Sequence, residues 1–183
     1  PSPRPSQTVN RHWTFNYFPD PQRDDSAASP SFNDSAWPAV ALPHTWQTFE
    51  TSGQPHPFNA DASGVPSYWW NGWGWYRKHF TAPAELAGKK VFAEFDGVQK
   101  YSRLYLNGNY LGDHKGGYTS FCVDLTEALR FGGDNVLAVA VNNALDDGYA
   151  IPPRSAGNFN AYGGIDRDVR LTVKNRIHIP YQG

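Results

Sequence analysis

Hydrophobic positions in this chain recur mostly with a period of two and in short runs. Trp13, Phe15 and Tyr17 alternate with Thr14 and Asn16, which predicts a first strand over residues 12–18. In the next strong run, Trp73, Trp75, Arg77 and His79 share one parity, and Gly74, Tyr76, Lys78 and Phe80 share the other. Val91, Ala93 and Phe95 oppose Glu94 and Asp96 in a strand expected to reach Val98. Residues 101–106 and 110–111 predict a hairpin closed by Asn107-Gly108, a pair suited to a two-residue turn with positive φ at both positions. Phe121, Val123 and Leu125 form the inner face of a further strand. Residues 136–141 are apolar on both parities, so they are expected at the centre of a sheet. In the last strand Val169, Leu171 and Val173 face one way, and Asp168, Arg170 and Thr172 face the other.

Helical signals are local. Asn33-Asp34-Ser35 ahead of Ala36-Trp37 is expected to cap one helical turn. Asp124 and Glu127 have the spacing of a capping box for a short turn ending at Leu129. With about eight short strands, tight turns and no long amphipathic helix, the pattern predicts an all-β antiparallel sandwich. Residues 1–10 are Pro/Ser-rich and are read as a flexible leader. Residues 11–176 form the domain, and residues 177–183 are read as the start of a linker to a further domain.

Three stretches lack any period. Residues 19–30 are a polar loop, and residues 47–66 a long one. The third separates the strands at 136–141 and 169–173; it is rich in Gly, Pro, Asn and Asp yet carries Tyr149, Ile151, Phe159 and Tyr162. Loops of that length are usually functional or disordered, and interleaved aromatics argue for order. Its Asn, Asp, Arg and Tyr side chains are those that hydrogen-bond and stack on sugars. The alternative is a long connection tied down by its own aromatics.

Composition narrows the function. With 16 basic and 17 acidic residues the net charge is −1, which gives no electrostatic case for nucleic acid or an anionic membrane. Aromatics make up 15%, and seven Trp and eleven Phe supply ample core. Cys122 is the one cysteine, so no intrachain disulfide and no cysteine-based zinc site can form. No run has the length of a membrane-spanning helix, and no signal peptide is present. A start at Pro1 is read as that of a processed or excised piece, and a periplasmic or secreted setting is favoured over the cytoplasm.

Catalytic chemistry is sparse. A glycosidase needs two facing carboxylates, and none of Glu50, Glu85, Glu94 or Glu127 has the setting for one. The six histidines show no zinc-type spacing, and His44, between Pro43 and Trp46, reads as a packed, hydrogen-bonded residue. No nucleophile elbow or phosphate loop is present, and no metal or cofactor is expected. Trp75 and Tyr76 are expected in the core, whereas Trp69, Trp70 and Trp73 are candidates for exposed rings that stack on a sugar.

Several segments, taken in order, resemble glycoside hydrolase family 2, the family of β-galactosidases, β-glucuronidases and β-mannosidases. They are Leu42-Pro43-His44-Thr45-Trp46, Gly74-Trp75-Tyr76-Arg77-Lys78-His79-Phe80, Phe95-Asp96-Gly97-Val98, and Tyr105-Leu106-Asn107-Gly108 with Leu111-Gly112. Gly116-Gly117-Tyr118-Thr119-Ser120-Phe121 with Asp124-Leu125-Thr126, Asn135-Val136-Leu137-Ala138-Val139, and residues 162–169 complete the series, which covers about residues 11–174. Val141-Asn142-Asn143 and Ile151-Pro152-Pro153 look like β-glucuronidase members, though the general pattern is equally like β-galactosidases.

The resemblance implies the N-terminal jelly-roll domain that binds sugar. In relatives an immunoglobulin-like domain and a (β/α)8 barrel follow, and the barrel carries both catalytic glutamates. By that resemblance this chain alone is not a hydrolase; it would serve a parent enzyme, which could be a homo-oligomer. Its last long loop would lean over the barrel mouth and lend polar groups to the carbohydrate pocket. Carried over by position, these are Asp146 or Asp147, Asn158 and Tyr162; Asn143 and Trp73 complete the candidate substrate-binding set. Relatives often have Asp where Asn158 stands and an aromatic where Asp166 stands, so the glycone stays open. A free-standing lectin-like module and a purely structural domain are the competing readings.

Overall fold

A computed structural model describes residues 6–18, 25–45, 72–143 and 163–179. The elements among them are strands β1 (Ser6–Thr8), β2 (Trp13–Phe18), β3 (Ala39–Val40), β4 (His44–Thr45), β5 (Trp73–Thr81), β6 (Lys90–Phe95), β7 (Tyr101–Leu106), β8 (Asn109–Lys115), β9 (Phe121–Asp124), β10 (Asp134–Asn142), β11 (Gly164–Ile165) and β12 (Val169–Lys174). Three short 3-10 turns, Asp25–Ala28, Ala84–Leu86 and Thr126–Ala128, are the helical elements there. A four-stranded sheet runs β1-β12-β6-β9, a six-stranded sheet runs β3-β2-β5-β10-β7-β8, and β11 pairs with β4. Neighbouring strands are antiparallel throughout. The all-β sandwich read from the periodicity is the observed architecture.

The main core lies between the two large sheets. Trp13, Phe15, Tyr76, Leu104, Leu106, Leu137, Val139 and Val141 come from one sheet, and Val91, Ala93, Phe95 and Val169 from the other. β10 is apolar on both parities because the six-stranded sheet is covered on both faces. Its outer face carries Trp73, Trp75, Tyr101, Tyr105, Ala138 and Ala140 under Ala27, Ala28, Phe32 and Trp37. A buried aromatic contributes about 1.5–3 kcal/mol over an exposed one, so this outer layer is a second core and not a decoration.

One cation fastens the cover to the sheet. Arg77 points outward from β5 and is fully buried. Its Nη1 donates to the carbonyls of Ala27 and Ser29, the latter at 3.0 Å, and Nη2 donates to the carbonyl of Phe32 at 3.3 Å. Nε lies 3.2 Å from Asp34 Oδ2. Asp34 in turn accepts from Thr14 Oγ1 at 2.6 Å and faces His79 Nε2 at 3.1 Å. Burial alone would raise the Asp34 pKa; hydrogen bonds from Thr14 and His79 and the charge of Arg77 overcome it and hold the carboxyl below the usual range.

Five local expectations are corrected. Residues 6–8 belong to the sheet rather than to a leader, because β1 pairs with β12 through its backbone while its side chains stay exposed and show no alternation. The stretch read as polar loop includes Asp25–Ala28, whose Ala27 and Ala28 are buried on the outer face. Asn33 caps a turn, not a helix: Asn33 Oδ1 accepts from Ser35 N and Trp37 N donates to Asp34 O, while the Asp34 carboxylate serves Arg77. The strand expected to reach Val98 ends at Phe95, where Asp96 N donates to Asp168 O. The Asp124–Glu127 box does not close; Asp124 accepts from Thr126 N at 2.9 Å, and Glu127 is exposed and 3.8 Å from Lys90 Nζ. The Asn107-Gly108 turn has the expected form, with φ of 53° and 85°.

Asp34→Ala should lower unfolding free energy by about 3–5 kcal/mol in urea titration, since it strands a buried guanidinium. A loss under about 1 kcal/mol would place the pair among ordinary surface bridges. The acid dependence has a definite sign. With its folded pKa depressed, Asp34 stabilises the fold above its ordinary value of 3.8, and that contribution is lost as pH falls through the folded value. The stability gap between wild type and Asp34→Asn should therefore narrow below pH 3.8 and stay constant above it.

Candidate functional site

The two long segments leave and re-enter the sandwich at one rim. Phe18 ends β2, Trp73 opens β5, Asn142 ends β10 and Tyr101 opens β7; in register these four are successive neighbours across the sheet. The ends of the segments are also bonded to each other. Gly72 N donates to Asn143 Oδ1 at 3.0 Å, and Asn143 N donates to Gly72 O at 3.3 Å. Thr45 pairs with Gly164 in the β4–β11 ladder. Residues 46–71 and residues 144–162 are thus each anchored at both ends on this rim.

The rim is built around close backbone approaches. Gly164 exchanges hydrogen bonds with Gln99 at 2.8 and 3.1 Å. A Cβ at Gly164 would stand 2.3 Å from His44 O and 2.8 Å from Tyr76 Oη, and its φ is +124°. Only glycine lets β11 lie there. The Tyr76 hydroxyl meets His44 Nδ1 at 2.7 Å, so His44 is the packed, hydrogen-bonded residue expected. Gln99 is 1% exposed, its amide lies over Gly117, and its Nε2 has no partner.

Charge here is partly desolvated. Lys100 is buried at 4% exposure, and burial lowers its pKa. Burial raises the pKa of Asp166, against a backbone hydrogen bond, Gln99 and Arg167. Among the described residues no group of three His, Cys, Asp or Glu is placed to hold a metal. The rim offers amide donors and acceptors, a cation and a carboxyl, groups able to hydrogen-bond hydroxyls.

The candidate residues divide into two sets. Asn143 is fully buried and its amide oxygen is spent on Gly72, so it ties one segment to the other. Trp73 was expected to be exposed and is not: it is 6% exposed and packs edge-on against Tyr101 at 5.9 Å, because its parity faces the second core. Asp146, Asp147, Asn158 and Tyr162 lie outside the described residues, between the anchors Asn143 and Gly163, and Trp69 and Trp70 lie outside them as well. Sequence reasoning missed Gln99, Lys100 and the Gly164 contact. The Gly163-Gly164 pair at the exit of the segment was the available signal.

Comparison with known proteins adds a lineage. The family model described as glycosyl hydrolases family 2, sugar binding domain, matches residues 6–175. The chain is 34% identical over 185 residues to a β-glucuronidase of Formosa agariphila, covering 97% of this chain and 18% of that protein. It is 36% identical over 178 residues to a β-galactosidase of Bacteroides ovatus, covering 97% and 19%. A crystal structure of a Bacteroides uniformis β-glucuronidase aligns with a TM-score of 0.74 at 36% identity, over 93% of this chain and 18% of that one. The chain therefore spans about a fifth of the length of its curated relatives.

Gly164→Ala should disrupt the β4–β11 pairing. The expected result is a lower melting temperature and faster amide exchange at Ile165 and Thr45, with exchange at Val139 in β10 unaffected. Unchanged exchange at Ile165 would show that the rim tolerates a side chain there.

Proposed function

Because the chain belongs to the sugar-binding domain of the family 2 glycosyl hydrolases, we propose that it is the accessory domain of a larger retaining β-glycosidase. In this reading its rim holds the hydroxyls of the sugar being cleaved, and the catalytic carboxylates come from another part of the parent. One observation carries it: both long segments are anchored on one rim and cross-bonded there, Gly72 to Asn143 and Thr45 to Gly164. A fixed frame with polar groups on its loops suits hydroxyl recognition.

The division of labour has a physical basis. Two carboxylates that protonate a leaving oxygen and attack an anomeric carbon need water excluded and the ring held still. Each well-made hydroxyl contact is worth about 1 kcal/mol net, and those that tighten in the transition state raise kcat rather than only lowering KM. Asp146, Asp147, Asn158 and Tyr162 are the groups we assign to these contacts; Asn143 holds the frame. Relatives named β-glucuronidase and β-galactosidase both match the chain, so either glycone is a candidate.

Asn158→Ala and Asp146→Asn in the full-length parent should each lower kcat/KM by roughly tenfold, the loss of one charge-assisted or well-aligned contact. The assay uses an aryl β-glucuronide and an aryl β-galactoside, with the melting temperature unchanged as control. Unaltered kinetics on both substrates would remove the sugar-contact role. Saturable binding of either glycoside by the 183-residue chain alone would favour a free-standing lectin instead.

A further inference from the structure

A concavity lies on the sandwich away from the rim. It is a cavity of about 670 Å³, a size that suits a small ligand. Leu42, Phe80 and Leu171 supply an apolar floor, and Arg11, His12 and Lys78 stand at its polar margin. Among the described residues no aspartate or glutamate lines it.

The cations there have no carboxylate bonded to them among the described residues, though Lys78 Nζ also lies 5.8 Å from the centre of the Trp13 ring. Lys78 is 8% exposed and donates from Nζ to the backbone carbonyl of Arg11 at 2.7 Å. Among the described residues neither Lys78 nor Arg11 forms an ion pair, and burial lowers the Lys78 pKa with no opposing charge. Two carboxylates adjoin the lining and are hydrogen-bonded to it: Asp168 accepts from Asn10 Nδ2 at 2.8 Å, and Asp134 accepts from Thr81 Oγ1 at 2.9 Å; neither pairs with Arg11 or Lys78. His12 sits beside it at φ 60°, a conformation uncommon outside glycine. β1, which also lines the cavity, is paired among the described residues with β12 alone, and its other edge there presents backbone donors and acceptors that can meet hydroxyls.

We infer that this groove is a second saccharide site, selective for an acidic sugar that bears a carboxylate or a sulfate. The anion would lie against Arg11 and Lys78, the C–H face of the ring over Phe80 and Leu171, and the hydroxyls along the edge of β1. Along β5, Lys78 is five residues from Trp73 at the rim, about 16 Å at roughly 3.3 Å per residue. The site is therefore separate from the rim and does not depend on the function proposed for it.

The test is an amide-detected NMR titration of the 15N-labelled chain with three probes: methyl β-D-glucuronide, methyl β-D-glucoside 6-sulfate and the neutral methyl β-D-glucoside. Saturable shifts are expected at Val9, His12 and Phe80 with at least one charged probe, about tenfold tighter than with the neutral one and weakened by added salt. Arg11→Gln, at an exposed position, should weaken the charged probe by roughly tenfold with the spectrum otherwise intact. Lys78→Met should do the same where its spectrum stays dispersed. Binding by the uronate alone or by the sulfate alone supports the site and identifies the anion. Equal binding of the neutral glucoside, shifts confined to Gly72, Asn143 and Gly164, or no saturable shift up to about 20 mM, well beyond ordinary weak binding, overturns it.

Discussion

The buried guanidinium of Arg77 is the contact on which the outer half of the fold depends. A polar group taken from water must be fully bonded or it destabilises the protein by several kcal/mol. Arg77 answers most of that demand: Nη1 and Nη2 take the carbonyls of Ala27, Ser29 and Phe32, and Nε, without a hydrogen bond of its own, faces the Asp34 carboxylate as an ion pair. Segment 25–37 is short of regular structure and could not hold itself against the sheet by backbone pairing alone. With Arg77 beneath it, it closes over Trp75 and the two β10 alanines. The six-stranded sheet then has two cores, and its strands are held from both sides.

That double packing reaches the rim. Trp73 and Tyr101 stand at strand ends where fraying is ordinarily easiest, yet both are buried and in contact. Asn142 and Asn143 continue β10 into the rim, and the Asn143 side chain reaches the backbone at Gly72. In the proposed function, the frame beneath the sugar contacts is held by side chains such as Trp73, Tyr101 and Asn143.

Much of this was legible in the chain. Period-two alternation located β2, β5, β6, β9 and β12, and the Asn107-Gly108 pair located the hairpin of β7 and β8. The two-sided apolar run of β10 announced a central strand. What escaped was set by partners distant in sequence. β1 has no pattern of its own because only its backbone works. Trp73 has the same local surroundings as an exposed loop tryptophan, and what hides it is a face whose cover comes from residues 25–37. Arg77 reads as an ordinary charged residue on a strand until that cover is placed. At the rim, the glycine pair was visible, but the His44 carbonyl and Tyr76 hydroxyl that require Gly164 come from two other strands. Family resemblance carried the candidate contacts of the 144–162 segment, which periodicity could not.

The order of strands in the smaller sheet has a consequence for biosynthesis. β12 is the last strand of the sandwich to be made, and it lies between β1 and β6. The first strand therefore finds its only neighbour after some 160 further residues, from Thr8 to Val169, have been added. Until then β6, with Val91, Ala93 and Phe95, is paired on its β9 side alone, and the inner face of the larger sheet lacks part of its lid. Domains of nonlocal pairing fold slowly and show unpaired edges while they wait. A nascent chain stalled before Val169 is thus a half-closed sandwich with open strand edges, the form in which a chaperone or an aggregate would meet it.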